Sequence, residues 1–227
     1  MINTVMQNSP HGQKYLGSKG LIVLIALLSA FVPLSLLLLF SLLSISSMAF
    51  IASSTYIYQD GFKLSNQVYS FYFSLNALGL ILGPILYLQI SKRFRIESII
   101  PVCFGVIVAS GVLVFLLGSL QPLIFALSIL PASIAGSCVW PPSANLMLEQ
   151  QKGNAGSVSS LMSCIGLLMG SLGMLLISFN WSNLIMVLGS MNFIAGILCL
   201  IFWPGVYRKA KKIGDLEPAI EMAASSD

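Results

Sequence analysis

The sequence predicts an all-α polytopic membrane protein with six transmembrane helices, and three observations carry the prediction. Only 8% of the 227 residues are charged while 57% are hydrophobic, and the mean hydropathy is +0.93. An ordinary soluble domain carries roughly 25% charged residues, so this chain has too few charges to coat a water-facing globule. Uncharged runs of the length that crosses a bilayer, about 20 residues, recur six times along the chain. Lysine and arginine gather in the connections on one side of those runs. Disorder, collagen and nucleic-acid binding fall by the same arithmetic, because polarity is low, glycine is unphased and a net charge of +4 is a weak basic excess. A membrane β-barrel would alternate apolar and polar residues, whereas these runs are continuously apolar.

The first uncharged stretch, Leu21 to Tyr58, is 38 residues long, too long for one crossing and too short for two with a turn. Pro33 offers the break. The crossing is therefore placed at residues 31–56, with Leu21–Ala30 as a lead-in helix at the interface and residues 1–20 as a cytoplasmic segment. Lys14 and Lys19 before an apolar run resemble a signal peptide, but such a core spans only ~7–15 residues and this one continues far beyond. Asp60-Gly61 follows as a turn.

The second span, residues 68–90, carries Tyr72 and Asn76 four apart and hence on one helical face. A basic loop with Lys92, Arg93 and Arg95 leads to the third span, residues 98–117. Gly118 to Pro122 form a turn into the fourth, residues 122–148, where Pro141 and Pro142 directly follow Trp140. Tandem prolines remove backbone donors and predict a local break there, which is tolerated at membrane depth only beside protein or a water-lined cavity. Small residues crowd the fifth span, residues 155–179: Gly156, Ser163, Gly166 and Gly170 predict close helix packing. Asn180 to Asn183 turn into the sixth span, residues 183–203. The transmembrane domain thus covers 21–206, and residues 207–227 form a polar cytoplasmic tail, mobile or lying on the membrane surface.

Orientation follows from the basic residues. Lys63 alone of the eleven lysines and arginines lies on one side of the spans, and the other ten lie on the opposite side. The positive-inside rule then places both termini in the cytoplasm and the chain in the cell (inner) membrane as a multi-pass protein. An even number of spans requires the same agreement.

No Asp, Glu, Lys, Arg or His occupies the middle of a span: Asp60, Glu97 and Glu149 sit at span ends and His11 in the N-terminal segment. Such a group usually marks an ion path or proton relay. Cys103, Cys138, Cys164 and Cys199 lie far apart inside apolar runs and read as core residues, not disulfides or zinc ligands. Without a Ser-His-Asp set, a metal-spaced cluster or a phosphate loop, no enzymatic activity, metal or cofactor is expected. The neutral polar and aromatic residues say more. Tyr56, Tyr72, Asn76, Trp140 and Asn145 suit the wall of a cavity for a medium-sized amphipathic ligand. They also suit a structural role, with the asparagines bonding between helices and Tyr56 and Trp140 at the interfaces.

Two stretches resemble a family. Phe31 to Lys92, with its aromatic-rich helix, the Asp60-Gly61 turn and the run Phe73-Ser74-Leu75-Asn76-Ala77-Leu78-Gly79, looks like the seventh and eighth helices of major facilitator superfamily transporters. The similarity is strongest to the Bcr/CflA-type branch of drug:proton antiporters. Trp140-Pro141-Pro142, followed after a short loop by Ala155, Gly156, Ser159, Leu161 and Gly166, resembles that branch's tenth-to-eleventh helix junction. The resemblance implies the C-terminal six-helix bundle of a twelve-span transporter that exports drugs or small amphipathic metabolites by proton antiport. It further implies substrate contacts at Tyr72, Asn76, Trp140 and Asn145, and a cytoplasmic gate loop at Lys92, Arg93 and Arg95. The implied partners are the lipid bilayer, a small-molecule substrate, protons, and a second six-helix half or another copy of the chain. The loop from Ser91 to Arg95 keeps the basic residues but lacks the Asp and downstream Gly of the superfamily's gating motif. A truncated or non-transporting protein, docking as an assembly partner through the glycine-rich helix, is the alternative reading.

Overall fold

The computed structural model describes residues 34–149 and 155–224. The N-terminal segment, the lead-in helix expected at Leu21–Ala30, the Pro33 break and Lys152 lie outside the described residues. Among the described residues are six helices long and apolar enough to cross a membrane: α1 (Leu34–Gly61), α2 (Asn66–Ile90), α3 (Ile96–Leu117), α4 (Pro122–Glu149), α5 (Ala155–Ile177) and α6 (Leu184–Ala224). No strand occurs among the described residues.

Each helix turns apolar side chains outward. Leu38, Ile81, Leu116, Leu127, Leu167 and Ile201, one from each helix in order, are all exposed. A soluble protein rarely shows so continuous an apolar surface; lipid is the solvent that suits it. Close helix contacts build the interior. Helix α3 runs antiparallel to α6 along its length, with Gly111 against Phe193 and Gly189, Gly196 against Val108, and Phe104 edge-on to Trp203. Helix α2 lies parallel to α4, and a Cβ on Gly83 would sit 2.6 Å from the Ile134 carbonyl oxygen and 2.7 Å from the Cys138 amide nitrogen. Helix α5 leans on α1, where Gly170 meets Met48 and Gly173 meets the Ile45 backbone. Small residues let backbones approach this closely, and dispersion contacts rather than water exclusion then hold the helices together. Two apolar clusters result: one around Phe40, Phe104 and Trp203, the other around Phe50, Tyr58 and Phe125.

Three elements depart from the sequence reading. The first crossing does not close at Tyr56. It continues as a π-helical turn, Tyr56–Gly61, so Asp60-Gly61 is helix rather than turn, and the left-handed residue that reverses the chain is Lys63, at φ 57°. An aromatic cluster explains the extra turn: Tyr58 stacks on Tyr72 with ring centroids 5.4 Å apart and meets Phe125 at 5.3 Å, contacts that the wider turn brings into reach.

Helix α4 carries Pro131, Pro141 and Pro142 inside one continuous helix, so the expected break is absent. Ser137 donates its hydroxyl to the Ser133 and Ile134 carbonyls, and Ser143 to that of Trp140, a back-bonding that bends helices without ending them. The sixth helix does not stop at Trp203. Its backbone stays helical to Ala224, through a segment rich in Lys, Glu and Ala, which favour helix.

Turns elsewhere follow local chemistry. Pro122 opens α4 at the position where a missing amide costs nothing. Asn183 caps α6, its Oδ1 accepting from the Ile185 and Met186 amides at 3.1 and 3.2 Å.

Candidate functional site

Three of the polar side chains that the apolar helices bury, Ser46, Asn76 and Asn192, meet at one place. Ser46 on α1, Asn76 on α2, Ser133 on α4 and Asn192 on α6 line a cavity of about 110 Å³ between the two apolar clusters. Asn76 is 5% exposed, Asn192 5% and Ser46 4%. Ser133 donates its hydroxyl to Asn76 Oδ1 at 2.7 Å, and Asn192 Nδ2 donates to the Leu188 carbonyl at 3.3 Å. Asn76 Nδ2 and Ser46 Oγ have no hydrogen-bond partner among the described residues. A buried polar atom left unpaired costs about 1–3 kcal/mol, and both of these atoms belong to residues that line the same cavity. With room for only a few waters or a small hydrogen-bonding group, the cavity fixes orientation more than it supplies area.

A second cavity of about 150 Å³ adjoins it through Ser47, between α1 and α4, and is lined by Phe40, Ser44, Ser137, Trp140 and Ser143. Helical back-bonding occupies several of these hydroxyls, as in Ser47 to Leu43 at 3.0 Å. Together the two cavities make a seam of serines with amides at one end and an indole at the other.

The five residues expected to line one cavity fall in different places. Asn76 lines the first cavity and Trp140, 53% exposed, the second. Tyr72 is half-buried in the stack on Tyr58. Tyr56, 61% exposed, faces a surface groove beside Trp181 at the α5–α6 end. Asn145 is exposed further along α4. The unbroken helix explains the last: five residues at 3.6 per turn place Trp140 and Asn145 about 140° apart around the axis. Lys92, Arg93 and Arg95 are exposed in and beside the connection from α2 to α3.

Among the small residues, Gly170 contacts Met48 and Gly166 lies near Ser44, whereas Gly156 meets open space and Ser163 is exposed. Sequence reasoning missed Ser46, Ser133 and Asn192. Asn192 did carry a signal, an amide inside an uncharged run; the serines carried none, since serine is frequent in every span.

Comparison with known proteins matches the chain to the Major Facilitator Superfamily over residues 6–174. The uncharacterized MFS-type transporter YdgK of Bacillus subtilis (strain 168) is 26% identical over 156 residues, 67% of this chain. That match takes in 38% of the relative, so the chain spans about two-fifths of its length.

Proposed function

The chain belongs to the Major Facilitator Superfamily, and on that premise we propose that its six helices form one bundle of a transporter that exports small amphipathic molecules in exchange for protons. The observation that carries the reading is a single cavity at the junction of four helices, lined by Asn76 and Ser46, whose buried Nδ2 and Oγ have no hydrogen-bond partner among the described residues. A structural asparagine would satisfy its amide within the bundle. Asn76 contributes the recognition bond, while Tyr72 and Trp140 supply aromatic surface on either side and Tyr56 and Asn145 guide entry at the exposed ends. Among the described residues no charged side chain lines the two cavities, so the preferred cargo presents a neutral hydrogen-bonding group there, and the titrating group for proton exchange comes from outside these cavities.

Alternating access in this architecture needs two repeats moving about a site between them. The working unit is therefore two bundles, either this chain with a second six-helix half or two copies with the same orientation. Both termini and the basic loop of Lys92, Arg93 and Arg95 lie in the cytoplasm of the cell membrane, where the loop closes the inner end.

The test is proton-gradient-driven export of ethidium from cells that make the chain alone or as a tandem of two copies. We expect the tandem to export at least tenfold faster than the Asn76→Ala, Trp140→Ala tandem at equal membrane levels. Equal rates in the intact and altered tandems would discard the cavity assignment; no export by either intact form would discard transport by this chain. The second reading, an assembly partner, is favoured by α5, which packs mainly on α1 and leaves Ser160, Ser163 and Ser171 exposed. In that case export is absent while cross-links through Cys164 on the same helix persist.

A further inference from the structure

Two cysteines that lie far apart in the sequence meet inside the bundle. Helices α3 and α4 form a hairpin joined by residues 118–121. Its register is set beside the connection, where Gly118 closes on Phe125, and again deeper, where Ser110 donates its hydroxyl to the Ser128 carbonyl. Another two to three turns along the same two helices stand Cys103 and Cys138. Their thiols share a side-chain hydrogen bond. Both cysteines are free, and both are buried, at 8% and 4% exposed, in the apolar cluster around Phe40, Phe104 and Trp203. Among the described residues no third His, Cys, Asp or Glu gathers with them.

Thiolate sulfur is a soft donor, so a pair of cysteines selects soft cations over hard ones. Burial then chooses among the soft ones by charge. A monovalent cation such as Ag(I) or Cu(I), held by two thiolates, leaves a net negative charge in an apolar cluster, which is costly without a counter-charge. Among the described residues no Lys or Arg is buried to supply one. A divalent cation with the same two ligands leaves no net charge. Zinc is divalent, but its structural sites are almost always four-coordinate, and only two ligands stand here. We propose that Cys103 and Cys138 form a two-thiolate site for a soft divalent cation of the mercuric type, which bridges α3 and α4. Arriving as its neutral chloride, the ion exchanges two chlorides for two sulfurs. Two S–H and two Hg–Cl bonds break, two Hg–S bonds form, two protons and two chloride ions leave, and no electron is transferred. Neither cysteine lines the Asn76 cavity, so the inference stands independently of the transport reading.

Mercuric chloride added at one equivalent to the full chain in detergent, with glutathione as a competing monothiol, tests the site by intact-mass measurement. Because the second sulfur binds intramolecularly, the chain is expected to hold mercury against glutathione at least about a hundredfold better than Cys103→Ala or Cys138→Ala. A chain carrying Cys164→Ser and Cys199→Ala, which keeps only the pair, should still hold one mercury, with two sulfurs around it by X-ray absorption. Loss of mercury from the unaltered chain to glutathione, retention unmoved by Cys103→Ala and Cys138→Ala, or silver(I) or zinc(II) held as firmly as mercury would each overturn the assignment. The unaltered chain and the one that keeps only the pair decide the matter by themselves, so a core alanine that folds poorly does not shelter the proposal.

Discussion

Asn76 and Ser46 present the same physical situation at two sizes: a polar atom buried in the bundle without a partner among the described residues. If the native protein holds them that way for a transported guest, removing the polar atom should stabilise the resting chain while impairing its work, the usual trade at functional positions. Ser46→Ala and Asn76→Leu are each expected to raise stability by about 1 kcal/mol, read as a higher midpoint of thermal unfolding in detergent. A lower midpoint for both would mean that the atoms are satisfied by permanent waters and serve the fold. The sequence made Asn76 conspicuous because an amide in an apolar run is expensive. Ser46 stayed hidden because a helical serine can always return its hydroxyl to a carbonyl one turn back, as Ser41 and Ser53 do here. No spacing distinguishes the serine that does not.

Helices meet through glycine in this bundle, and the contacts differ sharply in tolerance. A methyl on Gly83 would be driven into the Ile134 carbonyl and the Cys138 amide, backbone groups that cannot swing aside. Gly83→Val is expected to cost about 3 kcal/mol through overpacking, whereas Gly105→Ala, facing open space, should gain up to about 1 kcal/mol of helix propensity. Measuring both by thermal unfolding checks the pairing of α2 with α4, because two equal effects would contradict it. Span positions were readable from hydropathy alone, yet the ends were not. The π-helical turn at Tyr56–Gly61 answers to rings on other helices, and α4 runs through Pro141 and Pro142 because neighbouring hydroxyls and packing outweigh two missing donors. Local rules state what a segment prefers; these elements follow what surrounds them.

At the scale of the molecule, six spans and their basic ends set a topology. Among the described residues Lys92, Arg93, Arg95, Arg208 and Lys209 lie at one end of the bundle and Lys63 at the other. Epitope tags at the two termini are expected on the same, cytoplasmic, face of the cell membrane, and protease protection in spheroplasts and everted vesicles checks this. Fold class was legible because too few charges leave no other solvent than lipid. The pairing of α3 with α6, α2 with α4 and α5 with α1 was not, since hydropathy reports that a residue is apolar and never which helix it touches.

Forty-one residues of continuous helix in α6 amount to about 60 Å at 1.5 Å per residue, roughly double the ~30 Å hydrocarbon layer. The fold therefore carries its own mast. Any rocking or tilting of the membrane-embedded portion is magnified at the far tip, near Ala224, and a fluorophore mounted there would register motions too slight to see within the bilayer.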